Sequence, residues 1–235
     1  MMIGKGIEDI DIRMPRDAYD TGKQVPTLNA YLAIIVRDSE GKVIKVHKQR
    51  SHSPTANFIG LMLPLNYFNN TGNSFTLTTT GNGTYAYQPQ LVGNVKGISY
   101  PNSNTSVPTP SYIVMIQVGS GSRSNPYSAY ELAAPIANGS GAGNLFYGQP
   151  SIPQNIIVSG DSAYFVISQT FTNSSGGTVY ITEVGIVVSI SFAVAASNYF
   201  PTSEQLLVWY DVLSSEISIP NGGSLSIYYT FTINP

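Results

Sequence analysis

The residues that could most readily catalyse a reaction are isolated carboxylates in the second half of the chain. Two such acids at a suitable separation could hydrolyse a glycosidic bond, and the candidates are Asp161, Glu183, Glu204, Asp211 and Glu216. Their spacing pairs none of them, so we predict solvated surface carboxylates. Glu183 differs because it alternates with Val179 and Ile181, which predicts partial burial beside a backbone or hydroxyl partner in a structural role.

The histidines and the glycine-rich segment complete the search for chemistry. His47 and His52 are the only histidines, and with no cysteine in the chain they do not form a metal-binding face. A serine triad would need one of them, and the Gly-x-Ser-x-Gly elbow is absent. Gly139, Gly141 and Gly143 resemble a phosphate-binding loop, but a strand pattern follows instead of a helix, which predicts a flexible turn. We therefore expect no catalytic, cofactor or metal site and no enzyme activity.

Tyrosine and asparagine offer weaker binding signals. Tyrosines could stack on sugars or form a subunit interface, although in strands they usually serve packing. Those considered are Tyr85, Tyr87, Tyr100, Tyr112, Tyr127, Tyr130, Tyr147 and Tyr164. Glycosylation sequons begin at Asn69, Asn82, Asn104, Asn138 and Asn173, and the high Ser and Thr content explains most of them by chance.

The composition favours strands and turns. The chain has 235 residues, enough to bury a core without disulfides or metals, and it contains 22 Gly, 15 Pro and 16 Tyr. Only 10% of the residues are charged, against about 25% in typical domains. A surface made largely of Ser, Thr, Asn, Gly and Tyr has little charge repulsion, which favours homo-oligomeric assembly.

Charge is distributed unevenly along the chain. The net charge is -2, which argues against nucleic-acid binding because phosphate contacts need clustered Lys and Arg. Nine of the eleven basic residues lie within residues 5–50, whereas residues 51–130 contain no acid. The pattern predicts a charged head and a neutral body.

Neither a signal peptide nor a membrane span is expected. Glu8, Asp9 and Asp11 interrupt the first apolar residues, so Sec-type export is not predicted. The longest apolar stretch covers residues 184–196, well short of the roughly 20 residues needed to cross a bilayer.

Strand patterns dominate the elements that would position these residues. In residues 224–233, every second residue is apolar or aromatic and the residues between them are Ser, Thr or Tyr, which predicts a strand buried on one face. The members of the buried face are Leu225, Ile227, Tyr229, Phe231 and Ile233. Residues 164–172 and 179–181 flank the turn at 173–177 and predict a long hairpin. A further strand is predicted at 206–210, which precedes the strand at 224–233 and is joined to it by a connection at 211–223.

The earlier part of the chain predicts more short strands. A hairpin is expected at 31–46, a second around residues 81–83, and a central strand at 112–118. Ser53 as N-cap and Pro54 at the first helical position predict one short helix that ends before Pro64 or is kinked there. A long loop is expected at 93–110.

These elements define an all-β protein. We predict an antiparallel β-sandwich or jelly roll with one short helix, formed as a single domain by residues 29–235. Residues 1–28 show no steady period and predict an extended N-terminal arm that is mobile or ordered by a neighbouring subunit.

Four groups of motifs occur in one order along the chain. They are VRDSEGKV at 36–43 with RSHSPTANF at 50–58, QVGSG at 117–121 with YELAAPI at 130–136, QTFTNSSGGT at 169–178 with ITEVG at 181–185, and DVLSS at 211–215 with IPNGGSL at 219–225. Taken together in this order, they resemble a family of small β-rich virion structural proteins found in tailed phages and archaeal viruses. The resemblance spans residues 36–225, and the long loop at 93–110 and the insertion at 197–204 depart from it.

The resemblance implies a structural component of a virion, with no enzyme activity to carry over. We therefore expect a capsid, decoration, turret or tail protein, assembled in the host cytoplasm and located in the virion, whose partners are its own copies and other virion proteins. The alternatives are a receptor- or carbohydrate-binding module that takes a host glycan through its loops and tyrosines, and a cell-surface filament subunit.

Overall fold

Alternating apolar residues along the longest strands build two antiparallel sheets that pack face to face. The computed structural model describes residues 27–51, 53–62, 75–78, 80–81, 84–87, 114–153, 155–192 and 202–234. Sheet A contains β1 (Thr27–Arg37), β2 (Val43–Ser51), β6 (Phe146–Tyr147), β7 (Ile157–Ser159), β8 (Ser162–Thr172) and β11 (Ser224–Asn234). Sheet B contains β5 (Val114–Gly119), β9 (Val179–Phe192) and β10 (Thr202–Ile219).

The strand orders place the two ends of the domain side by side. Sheet A runs β2-β1-β11-β8-β6, with β7 also paired to β8, and sheet B runs β10-β9-β5. Their facing sides share one core, in which Leu32, Ile34, Tyr229, Ile116 and Ile181 are fully buried. The predicted all-β sandwich is confirmed.

The hairpin predicted for residues 164–181 is wrong. β8 pairs with β11 in sheet A, whereas β9 pairs with β10 and β5 in sheet B. Phe171 and Ile181 therefore enter the shared core from opposite sheets instead of lying side by side in one hairpin. The turn at 173–178 is an arch between sheets.

Two other strand predictions need correction. Residues 211–219 continue β10 and do not form a connection, and β10 and β11 lie in different sheets. β5 is at the edge of sheet B, not at its centre. Its residues are buried nonetheless, because residues 134–136 bond along its outer side: the Ile136 N–H donates to the Val118 oxygen at 2.9 Å.

β11 is buried on both faces rather than on one. Leu225 and Ile227 point into the core, while Tyr228 packs with Ala33 and Ile35 in a second cluster on the outer side of sheet A. This outer cluster forms because β11 lies between β1 and β8 and its neighbours contribute small and branched side chains.

The predicted short helix is confirmed as α1 (Ala56–Met62), and a 3-10 helical turn at Pro126–Ser128 also occurs in the described part of the chain. α1 begins two residues later than expected, because Pro54 forms a bridge with Trp209 and the Thr55 N–H donates to the Val208 oxygen at 3.1 Å. No helix in the described part of the chain is long and apolar enough to cross a membrane.

The other predicted segments have mixed outcomes. The first hairpin is confirmed as β1 and β2, and the second as β3 (Phe75–Thr78) and β4 (Thr84–Tyr87). Thr27 and Leu28 begin β1, so the last two residues of the expected arm belong to sheet A. Residues 1–26 and the loop at 93–110 lie outside the described residues.

Candidate functional site

Glu183 is the centre of a buried polar site on sheet B. Its side chain is fully buried and accepts four hydrogen bonds. The donors are the N–H groups of Ala134 (2.7 Å), Ala133 (2.9 Å) and Gly121 (3.2 Å) and the hydroxyl of Tyr210 (2.7 Å). The predicted burial of Glu183 with backbone and hydroxyl partners is confirmed.

A change of phase in β9 directs Glu183 away from the core. Val179 and Ile181 face the opposite sheet, but so do Val184 and Ile186, so the alternation shifts by one residue between them. β10 is irregular at the same level, where its register with β9 shifts between Val212 and Ile217. Glu183 consequently points to the outer side of sheet B.

Small residues bring the backbone of residues 119–134 close to this carboxylate. A Cβ on Gly119 would lie 2.7 Å from the Ala134 oxygen and would overlap the Glu183 carboxylate. A Cβ on Gly121 would lie 2.7 Å from the Cβ of Ala133. Glycine at both positions therefore permits the close approach that the hydrogen bonds require.

Glu183 and Tyr210 together attach residues 120–136 to the outer side of sheet B. In this covering loop, Ala129 and Leu132 pack on Met115 and Leu207 of the sheet. The Tyr210 oxygen also accepts the Arg123 N–H at 2.9 Å. Burial, together with the bond to Glu183, raises the pKa of Tyr210, so the phenol stays protonated and keeps donating.

The prediction that Asp211 is a solvated surface carboxylate is wrong. Asp211 is buried on the other side of sheet B, inside the sandwich, where hydroxyl groups replace its hydration. Its Oδ2 accepts the hydroxyls of Ser51 at 2.5 Å and Tyr229 at 2.9 Å, and Ser51 in turn accepts the indole N–H of Trp209. Burial and the charge of Asp211 raise the pKa of Tyr229. Because Asp211 and Glu183 occupy opposite faces of one sheet, they do not form a catalytic pair.

Side chains close one flank of the sandwich between β5 and sheet A. The Ile116 N–H donates to the Gln169 Oε1 at 2.7 Å, and the Gln169 Nε2 donates to the Gly148 oxygen at 2.9 Å. The Tyr147 hydroxyl donates to the Ile136 oxygen at 2.7 Å, and burial raises its pKa. Backbone groups at the free edge of β5 thereby find hydrogen-bond partners without another strand.

The opposite flank is closed in the same way between β2 and the irregular part of β10. The Gln49 Nε2 donates to the Val212 oxygen at 3.1 Å, and the Gln49 Oε1 accepts the Ser214 N–H at 3.0 Å. The Lys45 Nζ donates to the Glu216 oxygen at 2.8 Å. Sheet B therefore has polar contacts to sheet A along both edges.

Asn173 organises the arch between β8 and β9. Its Nδ2 donates to the oxygens of Gly177 and Ile219, both at 2.8 Å, and its Oδ1 accepts the Ser175 N–H at 3.0 Å. The neighbouring turn joins the network, because Asn221 Oδ1 accepts the Gly176 N–H at 2.9 Å. Asn173 is fully buried, so its sequon serves the fold and offers no free amide for a glycan.

The remaining acids and histidines are scattered. Asp161 is exposed in the turn between β7 and β8, and Glu216 is exposed on β10. Glu204 also lies in β10, outside the residues whose side chains are described. His47 hydrogen-bonds to Gln49 at 2.9 Å, and His52 lies outside the described residues. Over the described ranges, no three of His, Asp or Glu form a group that could hold a metal ion.

The glycine segment and the tyrosines do not form a ligand site with these groups. Gly139 and Gly143 adopt positive φ angles and lie in a turn before β6, so the predicted turn is confirmed. Tyr147 is in the core, Tyr127 is exposed in the covering loop and Tyr164 lies on β8. Tyr130 lies in the covering loop, and the Asn138 Oδ1 beside β6 accepts the Tyr147 N–H at 3.0 Å. Tyr85 and Tyr87 lie in β4. The other tyrosines and sequons considered fall outside the described residues, namely Tyr100, Tyr112, Asn69, Asn82 and Asn104.

Sequence reasoning missed Gln169, Gln49 and Tyr210 as structural residues. Gln169 had a usable signal, since it occupies an inward position between Ile167 and Phe171 on an alternating strand. Tyr210 had none, because its role depends on a loop almost 80 residues earlier in the chain.

Comparisons with family models, curated proteins and solved structures returned no match to this chain.

Proposed function

We propose that this chain is a structural subunit of a virus particle, as a capsid, decoration, turret or tail component. It acts through repeated contacts with its own copies and with other virion proteins, and it is assembled in the host cytoplasm. The basis is the motif resemblance across residues 36–225, together with the way those motif residues are used in the fold.

One observation supports the proposal most directly. The polar residues of the motifs, such as Gln169, Asn173 and Glu183, are buried and bonded to backbone groups within the chain. These contacts fix the relative position of the two sheets and the covering loop. Polar residues committed to shape in this way suit a building block better than a reaction site, where side chains must reach a substrate.

The distribution of the acids agrees with this role. A glycosidase needs two carboxyl groups facing one substrate, whereas Glu183 and Asp211 lie on opposite faces of sheet B and each is enclosed by its own partners. The proposal therefore does not assign a reaction to either acid.

Purified particles from cultures that produce the chain provide the test. We expect the protein to sediment with particles through a density gradient, at a constant ratio to the other virion proteins across the peak fractions. A virus-free culture that expresses the same chain is the control, and there the protein should remain near the top of the gradient. Absence of the chain from washed particles would refute the proposal.

A further inference from the structure

The two edges of sheet A differ in character. At one edge β2 carries Lys45, Lys48 and Arg50, and the register of its pairing with β1 shifts at Arg37. Charged side chains and bulges are the usual protection against unwanted strand pairing. At the other edge, β6 and β7 lie within residues 132–160, which contain no charged residue at all.

β7 and the residue before it form an exposed apolar edge. Ile156, Ile157 and Val158 are 58%, 49% and 73% exposed, and we call residues 156–159 the β7 edge. Ile152 and Phe146 are also exposed and lie further along the same edge, beside β8. Clusters of large exposed apolar side chains on a soluble domain mark interaction sites more often than chance.

The backbone of the β7 edge is available for pairing. β7 and β8 form a hairpin closed by Ser159 and Ser162, with Gly160 in a positive-φ conformation in the turn. In a hairpin with a two-residue turn the closing pair is hydrogen-bonded, so the N–H and C=O of Val158 point away from β8. Among the described residues, no strand pairs with that outer side.

We propose that the β7 edge binds the β7 edge of a second copy of this chain, antiparallel, about a two-fold axis near Val158. An antiparallel pair of identical strands is self-complementary, since each Val158 can exchange two backbone hydrogen bonds with its counterpart. Because the edge is uncharged, two copies approach without like-charge repulsion. This inference rests on the proposed function and names one of its subunit contacts.

The size of the contact fits a repeated lattice interaction. The three exposed side chains present about 300 Å² per copy, divided between the two faces of the strand. The pair therefore buries less than about 600 Å² from side chains, which is below the size of a stable isolated dimer. A contact of this size associates weakly alone and gains strength when many copies are held together.

Cysteine cross-linking of the full chain tests the proposal, since the native sequence has no cysteine. In the proposed pair the two Val158 Cα atoms lie about 5.5 Å apart, within the range of a disulfide. Val158→Cys should therefore form a covalent dimer under mild oxidation. Val46→Cys is the matched control, because Val46 is also exposed on sheet A but lies on the opposite edge.

A second variant measures association directly. Val158→Lys should weaken self-association at least tenfold in sedimentation velocity at high protein concentration, while Val46→Lys should change it less than twofold. Circular dichroism confirms that both variants fold. Equal cross-linking of the two cysteine variants, cross-linking of Val158→Cys to another virion protein in place of itself, or unchanged association of Val158→Lys would overturn the proposal.

Particle incorporation separates this inference from the virion role. If Val158→Lys enters particles as well as the native chain does, the virion role stands and the β7 contact is refuted. If Val158→Lys loses self-association while the native chain is absent from particles, the contact stands and the virion role is refuted.

Discussion

Glu183 illustrates how a residue that could perform chemistry is used for structure. A buried carboxylate is costly unless hydrogen bonds replace its hydration. Here three backbone N–H groups and one hydroxyl group donate hydrogen bonds to the Glu183 carboxylate and so replace its hydration. Because these bonds occupy the carboxylate, its oxygens are committed to holding the covering loop on sheet B.

Glu183→Gln should therefore be strongly destabilising despite its similar shape. An amide has one acceptor oxygen, so its NH₂ group must face at least one of the four donors. We expect a loss of about 3 kcal/mol in the free energy of unfolding, measured by urea denaturation. Glu216→Gln, at an exposed acid, should change stability by less than about 0.5 kcal/mol. Similar effects of the two variants would contradict this role.

At the scale of secondary-structure elements, the architecture depends on the arch between β8 and β9 and on the side chains that join the two sheets along both flanks. Each sheet leaves edges that could pair with other chains. Gln169 and Tyr147 satisfy the edge of β5, and Gln49 bonds the edge of β10 to β2. The β7 edge lacks such protection, which is why it is the edge proposed for contact between copies.

Asn173→Ala tests the arch between β8 and β9. The variant removes hydrogen bonds to Gly177, Ile219 and Ser175 in a buried position, and we expect a loss of about 2–3 kcal/mol in thermal or urea unfolding. Asn221→Ala removes one bond at an exposed turn and should lose about 1 kcal/mol or less. Equal losses would show that the arch does not depend on Asn173.

Buried tyrosines connect the layers of the whole molecule. Tyr147 joins sheet A to residues 134–136, Tyr229 bonds across the core to Asp211, and Tyr210 attaches the covering loop. Burial raises the pKa of all three phenols in the folded protein. The same residues would ionise near pH 10 in the unfolded chain.

This difference predicts loss of stability at alkaline pH. The unfolded state releases these protons first, so the contribution of the phenols is fully present below about pH 10 and falls as the pH rises towards the raised folded values. Tyrosinate absorbance and circular dichroism should show that part of the tyrosines ionise only when the fold is lost. Tyr229→Phe should reduce this late fraction, and Tyr127→Phe, at an exposed site, should not. Complete ionisation of all tyrosines with the fold intact would contradict the prediction.

Local patterns were sufficient to predict most of the long strands, the first hairpin and the burial of Glu183. The two-residue period of a strand and the residues of a turn lie within a few positions of each other, so composition and alternation determine them. The same patterns predicted the sandwich, because many amphipathic strands with little helix must bury their apolar faces against one another.

Partner choice between strands was decided only by tertiary structure. Ala30 pairs with Phe231 from the far end of the chain, and β8 lies in sheet A although its sequence neighbour β9 lies in sheet B. A turn such as 173–177 permits either a hairpin or an arch. The choice depends on which apolar faces meet across the core and on distant carbonyls, such as that of Ile219, that accept the Asn173 amide. The phase shift that turns Glu183 outward likewise depends on contacts with Tyr210 and residues 121–134, whose positions no local pattern specifies.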